Sequence, residues 1–463
     1  MVKKNRQGFK IGDPRRSVDL SQLTRPVPVF DNVSKREREK INLFAKQYMK
    51  FQDNVRISPE VVKETALLVE KLGSLEDKLI INDDQTAFSL IRPGKKSMME
   101  GIRIIYAHND SPCLKAKVSP ARFEWDPDDQ NLHTGVELDT INYGGIHPHQ
   151  WTGRSLEVRG WSIIDGKRKK IQFPVYSPET AAHTDTRLEE ETEMSEAHLH
   201  ETLDLDTGYR NVKDFLKSIG LRGEEDFARS RLYAVPLIKS AMFGQGYITG
   251  YGHDDRAGVF TAVRALLDSK KVPDYTTMIF GFDIEEIGSA GPGGADDKFF
   301  ERVLHQTLIE NEEVGRLEDI TEALKLEIAS KSLAIAADVE FAATTMDLEE
   351  GRIDPWNIAK FGYGASINCS DGIMGGDQIS PQLIDSIISP LKNKNNIFQL
   401  TGGPMIADFS SEIISMNNFF SWRGYPTINI GVPTGSMHSV EELIHSGDLY
   451  HTYKLYKTIL NDF

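Results

Sequence analysis

The chain contains short, mostly apolar runs, and acidic or imidazole side chains follow most of them. The runs cover residues 102–107, 276–282, 333–337 and 427–432. The polar residues that come after them, in the same order, are His108, the pair Glu285 and Glu286, Asp338 and His438. Such runs are typical of strands covered on both faces. Because open α/β sheets place their sites beyond the carboxyl ends of such strands, the pattern predicts one site built from several strand ends.

The rest of the chain divides by the period of its apolar residues. Residues 35–72 and 259–267 show helical spacing. After Pro112, short alternating runs with turn residues predict β-rich structure, and the pattern of buried strands resumes near Tyr247. We therefore predict an α/β fold, with a mixed central sheet flanked by helices and a β-rich insert. The predicted parts are residues 1–115 and 246–463 for the α/β domain and residues 116–245 for the insert.

Five side chains of this pattern have the chemistry of metal ligands. They are His108, Asp254, Glu286, Asp338 and His438. Two imidazoles and three carboxylates suit borderline divalent ions, and five ligands exceed what one hydrolytic zinc with an open position needs. Two ions about 3.5 to 4 Å apart, bridged by one carboxylate, would use all five. Each residue alone has an ordinary structural interpretation, such as a helix cap at Asp254, so the prediction rests on their joint occurrence.

Two further acids fit roles beside the ligands. Adjacent carboxylates at a strand end cannot both face the same way, so Glu286 is the predicted ligand and Glu285 the predicted general base. Asp110 stands two residues after His108. A carboxylate in that position can accept the second imidazole N–H and fix the orientation of the ring. Asp110 is therefore predicted to orient His108 rather than to bind metal.

The motifs around these residues resemble, in order and spacing, the aspartyl aminopeptidase/aminopeptidase I family of cocatalytic metallopeptidases, and most of all its bacterial aminopeptidase I-like branch. The similar segments are residues 107–112 (Ala-His-Asn-Asp-Ser-Pro), 143–146 (Tyr-Gly-Gly-Ile), 150–151 (Gln-Trp), 251–256 (Tyr-Gly-His-Asp-Asp-Arg), 282–289 (Phe-Asp-Ile-Glu-Glu-Ile-Gly-Ser), 337–339 (Ala-Asp-Val) and 436–439 (Ser-Met-His-Ser). Together they extend from about residue 20 to the C-terminus.

The resemblance implies a division of the ligands and an assembly. Asp254 would bridge two ions, with His108 and Asp338 on one and Glu286 and His438 on the other. The family also implies a zinc-exopeptidase type of catalytic domain, an insert that mediates dimerisation, and dimers that form a hollow tetrahedral dodecamer. The implied substrates are peptides, cleaved at their N-terminal residue. His147 follows the Tyr-Gly-Gly motif and is a candidate for contact with substrate in the partner's active site, although a loop histidine is its simpler interpretation.

One segment departs from the family pattern. Members often carry a basic, glycine-rich loop near the substrate pocket, and the corresponding residues here, 360–367, keep Lys360 but lack the later Arg and Lys. The acids Asp371 and Asp377 follow. Because fewer positive charges suit an acidic substrate side chain less well, the family name does not predict the preferred N-terminal residue.

Composition and charge limit the remaining possibilities. The formal net charge of -15 argues against nucleic acid and anionic membranes as partners. Only two cysteines, Cys113 and Cys369, occur, and no targeting or transmembrane segment is visible, so the predicted location is the cytoplasm. The acid-rich segment from Leu188 to Glu196 is predicted to be a surface loop.

Several alternatives stay open at the level of sequence. The same ligand set serves zinc, which we expect, as well as cobalt and manganese. A related binuclear fold can hydrolyse N-acyl amino acids, and a non-catalytic member could retain metal and act in assembly or peptide binding. The complete set of ligands with a general base argues against the non-catalytic alternative, whereas aminopeptidase activity is what the family resemblance implies.

Overall fold

The computed structural model describes residues 27–123, 135–179, 203–349, 353–369, 379–392, 394, 396–402 and 416–462. Its helices are α1 (Val29–Asn32), α2 (Lys35–Asn54), α3 (Ser58–Leu72), α4 (Val212–Ile219), α5 (Glu224–Ala228), α6 (His253–Leu267), α7 (Phe299–Glu310), α8 (Glu322–Ser330), α9 (Thr345–Glu349), α10 (Pro381–Lys392), α11 (Met416–Trp422) and α12 (Ser446–Asp462). Its strands are β1 (Lys78–Ile81), β2 (Phe88–Arg92), β3 (Arg103–His108), β4 (Cys113–Phe123), β5 (Val136–Tyr143), β6 (Arg154–Ile164), β7 (Lys167–Ser177), β8 (Asp204–Asp206), β9 (Ser230–Pro236), β10 (Ala241–Phe243), β11 (Tyr247–Gly250), β12 (Thr277–Phe282), β13 (Leu333–Ala336), β14 (Glu340–Phe341), β15 (Ala365–Asn368), β16 (Phe398–Thr401), β17 (Thr427–Gly431), β18 (Pro433–Gly435) and β19 (Glu442–His445).

A mixed sheet forms the centre of the α/β part, as predicted. Its strand order is β1-β2-β12-β3-β13-β17-β15-β16. The four inner strands β12, β3, β13 and β17 are parallel to one another, whereas β2 and β15 flank them in antiparallel pairing. These four parallel strands are the predicted apolar runs. Their carboxyl ends therefore lie along one edge of the sheet.

Helices cover both faces of this sheet because its inner strands are apolar on both sides. In β3, Ile105 and Ala107 pack into a core formed mainly with α2, α3, α6 and α12, while Ile104 and Tyr106 pack on the opposite face with α7, α8 and α11. Every residue of α6 except Arg264 is buried. The helix thus lies between the sheet and the outer helices, and its first turn reaches the carboxyl edge of the strands.

Antiparallel strands occupy the middle of the chain. Strands β4 to β9 form a closed barrel in the order β4-β5-β8-β7-β6-β9, with its own apolar core around Trp151 and Phe215. A second small sheet, β10-β11-β19-β18-β14, joins segments on either side of α6. The barrel extends from Cys113 to Pro236 and overlaps most of the predicted insert, and the boundaries at residues 116 and 245 stay a prediction.

The predicted helical segment from Lys35 to Leu72 consists of two helices. Ser34 begins α2, where its Oγ accepts a hydrogen bond from the N–H of Glu37 at 3.2 Å, as expected of an N-cap. Pro59 stands in the first turn of α3, where the missing N–H of proline costs nothing. In the described ranges, no helix is both long enough and apolar enough to cross a lipid bilayer.

Candidate metal centre

One histidine and two carboxylates meet at the carboxyl end of β3. His108 is the last residue of this strand and only 1% exposed. Its Nε2 lies 2.9 Å from Oδ1 of Asp254 and 3.7 Å from Oδ1 of Asp338. One ligand atom from each of the three residues lies within 4.8 Å of the others. The sheet delivers His108 and Asp338 from adjacent strands, and the start of α6 delivers Asp254.

A second group of three forms on the other side of Asp254. The Nε2 of His438 lies 3.5 Å from Oδ2 of Asp254 and 3.5 Å from Oε2 of Glu286. These residues also offer ligand atoms within 4.8 Å of one another. The two carboxylate oxygens of Asp254 therefore face different histidines. The structure brings all five predicted ligands together, in two groups that share one residue.

The remaining nitrogen of each imidazole already has a partner. The Nδ1 of His108 lies 3.1 Å from the backbone oxygen of Asp110, and the Nδ1 of His438 lies 2.9 Å from that of Gly145. A carbonyl oxygen only accepts, so each Nδ1 carries the proton. Each Nε2 faces the carboxylates and is therefore the nitrogen available to a metal ion, which is usual for metal-binding histidine.

The charges at this edge suit a divalent cation. Burial, together with the charge of Asp254, raises the pKa of Glu286 well above its ordinary value, and its Oε1 is a buried atom without a hydrogen-bond partner. Burial also raises the pKa of Asp338. Burial lowers the pKa of His438, but the hydrogen bond to Asp254 and the charge of Glu286 outweigh burial and raise this pKa to about 10. Buried carboxylates of this kind are stable as anions only with a cation beside them, so the donor set fits divalent metal ions.

A tight turn after β12 separates the two adjacent glutamates. Ile284 has a φ of 56°, and a short 3-10 turn covers Glu285 to Ile287. Glu285 offers an oxygen within 4.8 Å of ligand atoms of His108 and Glu286. Burial is the main reason why the pKa of Glu285 rises to about 8, and nearby carboxylates add to it. The partly exposed Glu285 thus lies beside both ligand groups.

Asp110 connects this turn to the barrel. Its carboxylate accepts hydrogen bonds from the backbone N–H groups of Glu285 and Glu286, each at 3.2 Å, and from the hydroxyl of Tyr143 at 2.9 Å. Its Oδ1 lies 3.4 Å from Nδ1 of His108, farther than the backbone oxygen of the same residue. The carboxylate of Asp110 therefore mainly holds the glutamate turn, and the backbone oxygen of Asp110 is the nearer partner of the His108 ring.

The start of α6 is held by several contacts. Asp255 accepts the N–H of Gly258 at 3.1 Å, as a helix cap does, and also the N–H of His108 at 3.3 Å. Ser111 donates its hydroxyl to the backbone oxygen of Asp254 at 2.5 Å. The peptide bond between Asp254 and Asp255 is cis. Asp255 thus caps the helix and also positions the end of β3.

Three parts of the site were absent from the sequence analysis. Glu442 is buried and accepts the N–H of Asp254 at 3.0 Å and the N–H of His438 at 2.8 Å. The hydroxyl of Tyr143 and the carbonyl of Gly145 are the other two. The Tyr-Gly-Gly motif could have suggested the last pair. Nothing in the sequence around Glu442 indicates a role in the site, since an acid four residues after a histidine is common.

The other predicted residues lie apart from this cluster or outside the described part of the chain. His147 is exposed, two residues after Gly145, and its ring centroid is 5.6 Å from that of His149. The loop that begins at Lys360 is held by Asp448, which accepts the N–H groups of Gly362 and Gly364 at 2.7 and 2.6 Å. The acid-rich segment 188–196, Asp371 and Asp377 lie outside the described residues.

Comparison with known proteins gives consistent results. The sequence profile of the aminopeptidase I zinc metalloprotease family (M18) matches residues 71–460. A probable M18 family aminopeptidase 1 from Borreliella afzelii is 29% identical and covers 93% of this chain and 98% of its own. The crystal structure of an M18 family aminopeptidase from Thermotoga maritima superposes with a TM-score of 0.82 at 23% identity, over 95% of this chain and 100% of that one.

The fold is also similar to that of a eukaryotic assembly. The structure of the Saccharomyces cerevisiae mApe1 dodecamer matches with a TM-score of 0.67 at 16% identity, over 91% of this chain and 97% of that one. The family profile spans most of the sequence, including every residue of both ligand groups. The chain therefore belongs to the M18 family of aminopeptidase I zinc metalloproteases and is a metal-dependent aminopeptidase by class.

Proposed function

We propose that the chain removes N-terminal residues from peptides with a pair of metal ions that share Asp254. His108 and Asp338 would hold one ion, and Glu286 and His438 would hold the other. The observation that carries this proposal is the position of the Asp254 oxygens, with Oδ1 at 2.9 Å from Nε2 of His108 and Oδ2 at 3.5 Å from Nε2 of His438. A carboxylate shared between two such groups is what a two-metal hydrolase requires.

The chemistry divides between the ions and Glu285. When bound, two divalent ions supply Lewis acidity, which lowers the pKa of water and polarises a carbonyl group. Glu285 stands beside both groups without belonging to either proposed set of ligands. Its carboxylate would accept the proton of the attacking water and return it to the amine that leaves. Asp110 contributes by holding the N–H of Glu285, because a general base must stay within hydrogen-bond reach of its proton.

Zinc is the proposed metal, in keeping with the family description. Two imidazole and three carboxylate ligands also accept cobalt and manganese. The proposed location is the cytoplasm, since Cys113 and Cys369 are both free and a reducing compartment keeps them so.

We also propose a homo-oligomer, up to a dodecamer built from dimers, because the chain shares its fold with the yeast mApe1 dodecamer. The barrel would contribute to the dimer contact, and exposed His147 would then reach the active site of the partner. Comparing the wild type with His147→Ala by sedimentation and by KM tests both parts: an unchanged assembly with a raised KM supports the histidine, and a monomer refutes the assembly.

Hydrolysis of a panel of aminoacyl amides, with free and with acylated N-termini, tests the function. We expect zinc-loaded protein to cleave free N-termini only. Cleavage restricted to acylated substrates would instead indicate an N-acyl amino acid hydrolase, and no cleavage with zinc retained would indicate a binding protein.

Two neighbouring variants separate the base from the ligand. Glu285→Gln should keep its zinc and lose about 10²- to 10⁴-fold in kcat, the usual contribution of a general base. Glu286→Gln should lose zinc from the His438 group. Equal zinc loss in both variants, or an active Glu285→Gln, would refute the assigned roles.

A further inference from the structure

Glu442 lies between the two segments that deliver Asp254 and His438. It is the first residue of β19, which pairs with β11 on one side and with β18 on the other. Strand β11 ends at Gly250, four residues before Asp254, and β18 ends at Gly435, three residues before His438. Gly250 is the partner of Glu442 in the ladder. The small sheet thus brings both ligand segments to the side chain of Glu442.

Each carboxylate oxygen of Glu442 accepts one backbone N–H from these segments. Oε2 accepts from Asp254 at 3.0 Å, across 188 positions of sequence, and Oε1 accepts from His438 at 2.8 Å. His438 has a φ of 64°, in the left-handed region that a non-glycine residue adopts at some cost. The hydrogen bond from its N–H helps to hold the chain in that conformation.

Packing alone does not explain a carboxylate in this position. Glu442 is 1% exposed, and removing a carboxylate from water costs free energy. A buried carboxylate is stabilising only through the donors that it satisfies. Here both donors are main-chain N–H groups, those of Asp254 and His438. The free-energy cost of burying the carboxylate is therefore offset by hydrogen bonds that fix the geometry of these two residues.

We propose that Glu442 is a positioning residue of the metal centre, which fixes the main chain of Asp254 relative to that of His438. Oδ2 of Asp254 and Nε2 of His438 would then face the same ion. The inference rests on the proposed two-metal site. It predicts an asymmetry, because His438 would bind only one of the ions, whereas Asp254 is shared and the other ion's remaining ligands, His108 and Asp338, are placed by strands of the central sheet. Loss of Glu442 should weaken the His438 ion far more than the His108 ion.

Glu442→Gln is the direct test, since the amide has the same shape but only one oxygen that accepts. One of the two backbone N–H groups would then face an NH₂ group. Zinc titration of the full-length protein against a competing chelator should show two affinities in the wild type. In the variant, the affinity of one site, which we assign to the His438 ion, should fall about 10- to 100-fold, as when other hydrogen-bond partners of metal ligands are removed, and the affinity of the other site should change by less than about 3-fold.

Two control variants separate positioning from simple stability. Glu441→Gln removes the same charge from the exposed neighbouring residue. Asp448→Asn alters another fully buried carboxylate that accepts two backbone N–H groups, but from Gly362 and Gly364 instead of metal-type residues. Both controls should keep the wild-type zinc affinities, although Asp448→Asn should lower the melting temperature.

The outcomes are distinct. If Glu442→Gln lowers only the melting temperature, as Asp448→Asn does, its role is structural and the inference is wrong. A wild type that binds fewer than two zinc ions would overturn the proposed function and the inference with it. If Glu442→Gln does not fold, Glu442→Asp gives the same test, because the shorter side chain cannot reach both N–H groups. Recovery of kcat at high zinc, with KM unchanged, would further support positioning.

Discussion

The two histidines of the candidate site are placed by different means. His108 ends a parallel strand in the middle of the sheet and is 1% exposed, and its Nδ1 is hydrogen-bonded inside its own segment, to Asp110. The His438 side chain is 35% exposed, sits in a loop with a positive φ, and depends on Gly145, 293 positions earlier in the sequence, and on Glu442. One side of the site is therefore fixed by the sheet and the other by contacts between distant segments.

The barrel contacts both sides of the candidate site. Tyr143 and Gly145 lie at the end of β5, and they reach Asp110 on the His108 side and Nδ1 of His438 on the other. A shift of that strand would disturb His438 more, because β3 holds His108 independently.

Replacing each histidine in turn by asparagine should give the largest difference in stability between the two sides of the site. In metal-free protein, His108→Asn removes the imidazole partner of buried Asp254 and should cost about 3–5 kcal/mol of unfolding free energy. His438→Asn keeps a residue that tolerates positive φ and removes a partly exposed imidazole whose contacts with Asp254 and Glu286 are longer, at 3.5 Å each. It should therefore cost less, about 1–2 kcal/mol. Urea unfolding in the presence of EDTA measures both, and equal costs would contradict the comparison.

The adjacent glycines provide a matched pair on the barrel side. Gly144 has a φ of 76°, and an added Cβ would lie 3.2 Å from Oε2 of Glu286. Gly144→Ala should therefore cost about 1–2 kcal/mol and reduce kcat at least tenfold through displacement of Glu286. In Gly145→Ala the Cβ would be at an ordinary 3.4 Å from Nδ1 of His438, so activity should stay within twofold. Equal kcat values for the two variants would show that the contact with Glu286 is unimportant.

Tyr143→Phe removes one donor from the Asp110 carboxylate and leaves the N–H groups of the glutamate turn in place. We expect a loss of about 1 kcal/mol in stability and a lower kcat with little change in KM, because Asp110 would hold Glu285 less firmly. Steady-state kinetics on one good substrate measures the split. A change in KM alone would place Tyr143 in substrate binding instead.

A smaller, pH-dependent effect arises away from the site. Burial lowers the pKa of His451 to about 3, against about 6.5 in an unfolded chain. Because the unfolded state binds the proton more readily, this residue contributes stability above pH 6.5 that is lost as the pH falls towards 3. His451→Gln should flatten that part of the stability curve of metal-free protein. An unchanged slope would mean that the site carboxylates and histidines account for the acid sensitivity alone.

The same difference explains what could be predicted from sequence. His108, Glu285, Glu286 and Asp338 follow apolar strands, so the strand pattern itself brought them to one edge. The run at residues 427–432 also predicted His438, although strand β18 separates this histidine from β17. Glu442 and the carbonyl of Gly145 were missed because their hydrogen bonds join segments whose proximity depends on the topology of the barrel and the small sheet.

Anomalous scattering at the zinc edge from crystals of the zinc-loaded protein tests the shared role of Asp254 most directly. We expect two peaks about 3.5 to 4 Å apart, one beside Nε2 of His108 and one beside Nε2 of His438, with Asp254 between them. A single peak at full zinc occupancy, or a second peak that does not contact Asp254, would contradict the two-metal site.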